Sequence, residues 1–202
     1  MEWFDCHVEF GRRMVPSPLQ QPDAAGLASL YAEIGIQRAL VIHPAFYQQH
    51  PKIGNARIVA ETKEYPQFEP TWAILPPCTD ELGSLDDFFT GMKAAGVRAL
   101  WAFPSDHRYT FNSFTCGPLF EELSARKIPL FLQAGALGQV PGNWDNLARV
   151  VMDFPTLRLV VCPVGVWGDD RYFRPFLERK TACRFMSTTY MVEGGLKALV
   201  DR

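Results

Sequence analysis

Gly35-Ile36-Gln37-Arg38-Ala39-Leu40-Val41-Ile42-His43-Pro44 and Gly96-Val97-Arg98-Ala99-Leu100-Trp101-Ala102-Phe103-Pro104 are two versions of one joint. In each, a glycine is followed by an arginine, a short apolar run and a closing proline. Glycine just past a helix and proline just past a strand are the punctuation of a helix-to-strand connection. The same grammar recurs along the chain, with apolar runs at 3–10, 38–43, 70–75, 97–103, 128–133, 157–162 and 183–188. Most are continuously apolar rather than alternating, which is how strands read when helices cover a parallel sheet on both faces.

Helical spacing fills the intervals. Leu27, Leu30, Tyr31 and Ile34 fall at i, i+3, i+4 and i+7, and Gly35 follows as a stop. Ser84 precedes Asp86 and Asp87, then Phe88, Phe89, Met92 and Ala95, and Gly96 closes the segment. An N-cap, acids in the first turn and a terminal glycine set the polarity of a helix. The stretches 117–126, 144–153 and 172–179 carry weaker versions of the pattern.

A β-α unit repeating about every thirty residues predicts a parallel α/β fold. No G-x-G-x-x-G or G-x-x-x-x-G-K-[ST] follows any strand, so a nucleotide-binding open sheet loses its best support. The spacing predicts a (β/α) TIM-barrel-like domain over 1–202 with about seven β-α units. An eighth unit would bring the chain near the ~250 residues typical of that fold, so the barrel is expected to be incomplete relative to (β/α)8.

Composition narrows the partners. The 202 residues carry 20 Lys+Arg against 22 Asp+Glu, a formal charge of −2, and the longest basic runs are Arg12-Arg13 and Arg179-Lys180. Such a chain offers no basic face for nucleic acid. No stretch has the length and apolarity of a membrane span, and the acidic start Met1-Glu2-Trp3-Phe4-Asp5 is unlike a signal peptide. Five widely spaced cysteines with no C-x-x-C pair fit reduced thiols in a cytoplasmic protein.

In a (β/α) barrel the reacting groups sit where strands end. The first strand presents His7 and Glu9, two residues apart and therefore on one side, where they could hold a divalent ion or form an acid–base pair. A buried histidine satisfied by its own carboxylate neighbour is the plainer alternative. His43, Asp106, His107 and Gln133 stand at the ends of later strands and are candidates to line a small-molecule pocket.

Asp5-Cys6-His7-Val8-Glu9-Phe10-Gly11 resembles the first strand of the amidohydrolase superfamily in its amidohydrolase-related branch, which reads Asp, any, His, any, His, any, Gly. The segments 35–43, 70–76 and 96–104, with Gly54-Asn55, Tyr109 and Phe154-Pro155, are similar to that branch as well. The resemblance implies a TIM barrel and metal-assisted hydrolysis or decarboxylation of a small carboxylate, lactone or amide. It also implies a zinc or similar ion on paired first-strand histidines, histidines on strands five and six, and an aspartate on strand eight. By position His7 keeps the first ligand, Glu9 replaces the second, Gln133 stands for the strand-five histidine and Pro163 for the strand-six one. The metal site is therefore expected to be degenerate, with the metal itself in question. The alternatives are a non-catalytic binding or assembly module, or a truncated fragment of such a barrel. Unpaired edges on strands one and seven would favour self-association.

Overall fold

The computed structural model describes residues 2–15, 17–18, 20–137, 141–164 and 170–186. It divides into two compact units, Met1–Leu75 with Thr79–Trp101, and Pro76–Cys78 with Ala102–Arg202.

The first unit contains β1 (Phe4–Glu9), α1 (Ala24–Ile34), β2 (Arg38–Ile42), α2 (Ala45–Gln48), α3 (Pro51–Thr62), β3 (Phe68–Pro70), β4 (Trp72–Ala73), α4 (Leu85–Ala94) and most of β5 (Leu100–Ala102). β1, β2 and β3 pair in parallel, and β4 pairs in parallel with β5. The second unit contains α5 (Ser113–Arg126), β6 (Leu130–Gln133), α6 (Pro141–Asp153), β7 (Leu159–Cys162), α7 (Asp170–Glu178) and β8 (Arg184–Phe185). There β6 pairs with β7 and β7 with β8, again in parallel.

Several helices begin or end for a local reason. The Asp23 side chain accepts the Gly26 N–H at the start of α1, and Gly35 ends it at φ 79°. Ser84 accepts the Asp87 N–H at the start of α4, with Asp86 and Asp87 favouring the positive end of the helix dipole. α5 begins four residues before the apolar spacing predicts, because Asn112 accepts the Thr115 N–H. α3 begins at Pro51 behind His50, whose ring nitrogen accepts the Lys52 N–H, rather than at Gly54-Asn55. The strands are shorter than the apolar runs. Leu75 and Val97 are buried but lie outside any strand, so the runs report burial beyond the extent of pairing.

One irregularity decides which side chains meet. Asp5 lies opposite Ala39 and Val8 opposite Val41, so Cys6 and His7 together face the single residue Leu40. This bulge inserts one residue and resets the alternation. Asp5 turns towards α1, where the Tyr31 hydroxyl donates to it at 2.6 Å. Glu9, opposite Ile42, turns to the other face. On β4 and β5, Trp72 packs on Phe88 of α4 with ring centroids 5.4 Å apart. Its partner is Leu100, so Ala73 and Trp101 point away from that helix.

Asn55 ties α3 to β4. Its amide donates to the Ala73 carbonyl at 2.9 Å and accepts the Ala73 N–H at 2.7 Å, all buried. Replacing Asn55 by Ala strands two buried backbone groups. Urea unfolding of Asn55→Ala is expected to show a loss of about 2–4 kcal/mol with an unchanged m-value.

Candidate functional site

His7 and Glu9 stand near the end of β1, His7 against Trp101 of β5 and Glu9 against Tyr47 of α2. The His7 ring lies against the buried Trp101 indole, centroids 5.1 Å apart. Burial lowers the His7 pKa, and the Asp5 and Glu9 carboxylates oppose that shift without reversing it. The imidazole is therefore neutral near pH 7 and able to accept a proton. The Asp5 carboxylate fixes the bulge from the other side, one oxygen taking the His7 backbone N–H at 2.9 Å and the other the Tyr31 hydroxyl.

Glu9 has a protein partner on each oxygen. Oε1 pairs with Nε of Arg13, and Oε2 accepts the Tyr47 hydroxyl of α2 at 2.6 Å. The Glu9 side chain is 10% exposed and that of Arg13 42%. The guanidinium thus meets the carboxylate through Nε and interacts with the Tyr47 phenol beside it, while part of the side chain stays exposed. The loop carrying Arg13 is tied down at its ends, where Gly11 N–H donates to the Gln21 carbonyl at 2.9 Å and Met14 N–H to Oε1 of Gln48 at 3.1 Å.

His43 goes elsewhere. It is 3% exposed, edge-on to Phe10, with Nδ1 accepting the Ala45 N–H at 3.0 Å and Nε2 3.6 Å from Glu61 of α3. A Cβ on Gly11 would lie 2.3 Å from its Nε2, so the glycine at φ 114° is what admits the ring. Burial, then the nearby Arg57 charge, lowers its pKa to about 4. This histidine is a buried, neutral support on the helix side of β2.

In the second unit Asp106 is exposed, His107 is half-buried beside the Phe103 ring, and Gln133 is half-buried at the end of β6 opposite Cys162. A pocket of about 200 Å³ opens beside Asp106 and His107 in sequence, lined by Ser105, Tyr109, Thr110, Asn143 and Asn146 with apolar neighbours. None of those five carries a charge at pH 7, and burial raises the Tyr109 pKa so that its phenol stays a neutral donor. This lining suits a small polar molecule held by hydrogen bonds.

The metal implied by the resemblance does not fit these donors. Catalytic zinc needs about three protein ligands and one open position. Glu9 is already shared between a guanidinium and a phenol. Gln133 offers only an amide, and Pro163 offers no donor. Among the described residues no group of three or more His, Cys, Asp or Glu could hold an ion. Sequence reasoning did not find Arg13, Tyr47 or the neutral pocket. The spacing of Arg13 four residues after Glu9 was the available signal, but it lies in a loop where spacing sets no direction.

No protein-family model and no curated protein matches the chain. Solved structures do. An uncharacterized TIM-barrel protein from Bordetella bronchiseptica is 18% identical over 81% of this chain and 59% of its own, with TM-score 0.62. Dihydroorotase from Campylobacter jejuni is 15% identical over 93% and 53%, with TM-score 0.58. An amidohydrolase II structure is 11% identical over 98% and 82%, with TM-score 0.66. The fold is that of a TIM barrel, as the β-α repeat predicts. The chain spans between half and three-fifths of the length of the first two of these proteins. Among the described residues no helix is long and apolar enough to cross a membrane.

The buried His43 makes stability depend on pH. Its folded pKa, about 4, lies below the 6.5 of an ordinary imidazole, so between those values the unfolded chain binds more protons. Stability therefore falls as pH drops from 6.5 towards 4, by up to about 3 kcal/mol for this group. Urea midpoints measured across that window are expected to fall less steeply in His43→Asn than in the natural protein.

Proposed function

We propose that this protein is an amidohydrolase-related hydrolase acting on a small carboxylate, lactone or amide, with a degenerate metal position and no resident metal in its reaction. The observation that carries this reading is the Glu9 carboxylate shared by Arg13 and Tyr47 beside a neutral, half-buried His7. A carboxylate with a guanidinium on one oxygen and a phenol on the other is a costly ligand to recruit, since a metal would have to displace both. The half-exposed Arg13 guanidinium matches the planar geometry of a substrate carboxylate.

His7 supplies the proton chemistry. A water attacks the substrate carbonyl carbon while His7 accepts one of its protons. The imidazolium then returns that proton to the departing alkoxide or amine as the carbon–oxygen or carbon–nitrogen bond breaks. General base action of this kind contributes about 100-fold or more. Trp101 under the ring limits its motion and keeps water from one face. A binding module that lacks turnover is the competing reading, favoured by the missing donors at Gln133 and Pro163.

A panel of small lactones and amides, with and without a carboxylate, separates the two. Turnover is expected to survive a chelator, to fall about 100-fold in His7→Gln, and to decline as pH drops through the lowered range of the His7 imidazole. Turnover abolished by the chelator would contradict the metal-free reading. Saturable binding with no turnover would establish the binding module instead.

A further inference from the structure

We infer a second binding site, for a phosphate-bearing small molecule, at the ends where β7 and β8 begin. A pocket of about 620 Å³ opens there, lined by Lys127, Arg158 and Arg184 together with Ser124 and Thr156, over a floor of Leu159 and Val160. The second unit's strand ends at Gln133 and Cys162 lie at the opposite ends of their strands, so this pocket is separate from them.

Three features set it apart from a solvated surface. Three cations share one pocket, and among the described residues no carboxylate lines it. Arg158 donates one Nη1 bond to the Lys127 carbonyl at 3.2 Å, and Arg184 donates Nη1 to the Thr181 and Cys183 carbonyls at 2.7 and 3.1 Å. These carbonyl bonds orient the guanidinium groups without neutralising them, and no ion pair to either arginine is formed among the described residues. Like charges that line one pocket are stabilised by an anion with two charges and several acceptors.

Second, the Ser124 hydroxyl is buried and has no hydrogen-bond partner, although it belongs to the pocket wall. A buried unsatisfied hydroxyl is rare and costly, and an oxyanion would accept its proton. Third, Lys127 caps α5 at φ 56°, a left-handed position where glycine is favoured. A lysine stands there against the backbone preference, and it is one of the residues that line the pocket. Capping the helix end needs only one cation, and Arg158 already supplies it.

The three cations and two hydroxyls suit a tetrahedral phosphate monoester dianion better than a planar carboxylate, and the volume leaves room for a small organic part. Calorimetric titration of the full chain with inorganic phosphate at pH 8 and pH 6, at fixed ionic strength, is the test. Phosphate is expected to bind more tightly at pH 8, where it is mostly dianionic, and to raise the melting temperature. Binding is expected to weaken about tenfold or more in Arg158→Gln, in Arg184→Gln and in Lys127→Gly. Lys127→Gly also relieves the left-handed backbone, so it keeps or gains stability while losing phosphate. His7→Gln should leave phosphate binding unchanged. Equal phosphate affinity in Lys127→Gly and the natural protein, or no binding at millimolar phosphate, would overturn the site.

Discussion

The extra residue that β1 carries opposite Leu40 is the constraint on which the candidate site depends. In an unbroken strand Asp5, His7 and Glu9 would share one face. The bulge divides them. Asp5 is left among the helices, bonded to Tyr31, while Glu9 takes the other face and His7 reaches Trp101. Asp5 also takes the His7 backbone N–H, so the carboxylate holds the irregularity that separates it from its neighbours. Bulges of this kind re-aim side chains next to working sites.

What the re-aimed carboxylate does follows from its partners. A second-strand-position histidine would leave a lone pair for an ion. Glu9 instead meets a guanidinium and a phenol, both delivered by the segments that follow β1 and β2. On the proposed reading, the positive charge that a metal would bring is replaced by one that belongs to the chain. That exchange would trade a Lewis acid for a fork of hydrogen-bond donors. The proposed site would then hold a carboxylate beside a neutral imidazole rather than activate water at a metal.

Much of the fold was legible because its signals are local. Gly35 and Gly96 end helices at φ 79° and 73°, and Ser84 caps as its neighbours predict. The site was legible only in part. The two-residue spacing of His7 and Glu9 suggested a shared face, but the bulge that also turns Asp5 away leaves no mark in the sequence. His43 reads like a rim histidine because it follows a strand. Its fate was set by Gly11, thirty-two positions earlier, whose missing side chain opens the space for the ring. Arg13 and Tyr47 were invisible for the same reason, since each acquires its meaning from a partner brought near by folding.

The Arg13 Nε–H resonance in a proton–nitrogen correlation spectrum tests the central claim most directly. A guanidinium held by Glu9 gives a slowly exchanging, shifted Nε–H signal at neutral pH, lost in Glu9→Gln and unmoved by added zinc. A signal that exchanges freely in the natural protein, or that zinc releases while shifting the His7 ring, would contradict the account and restore Glu9 as a metal ligand.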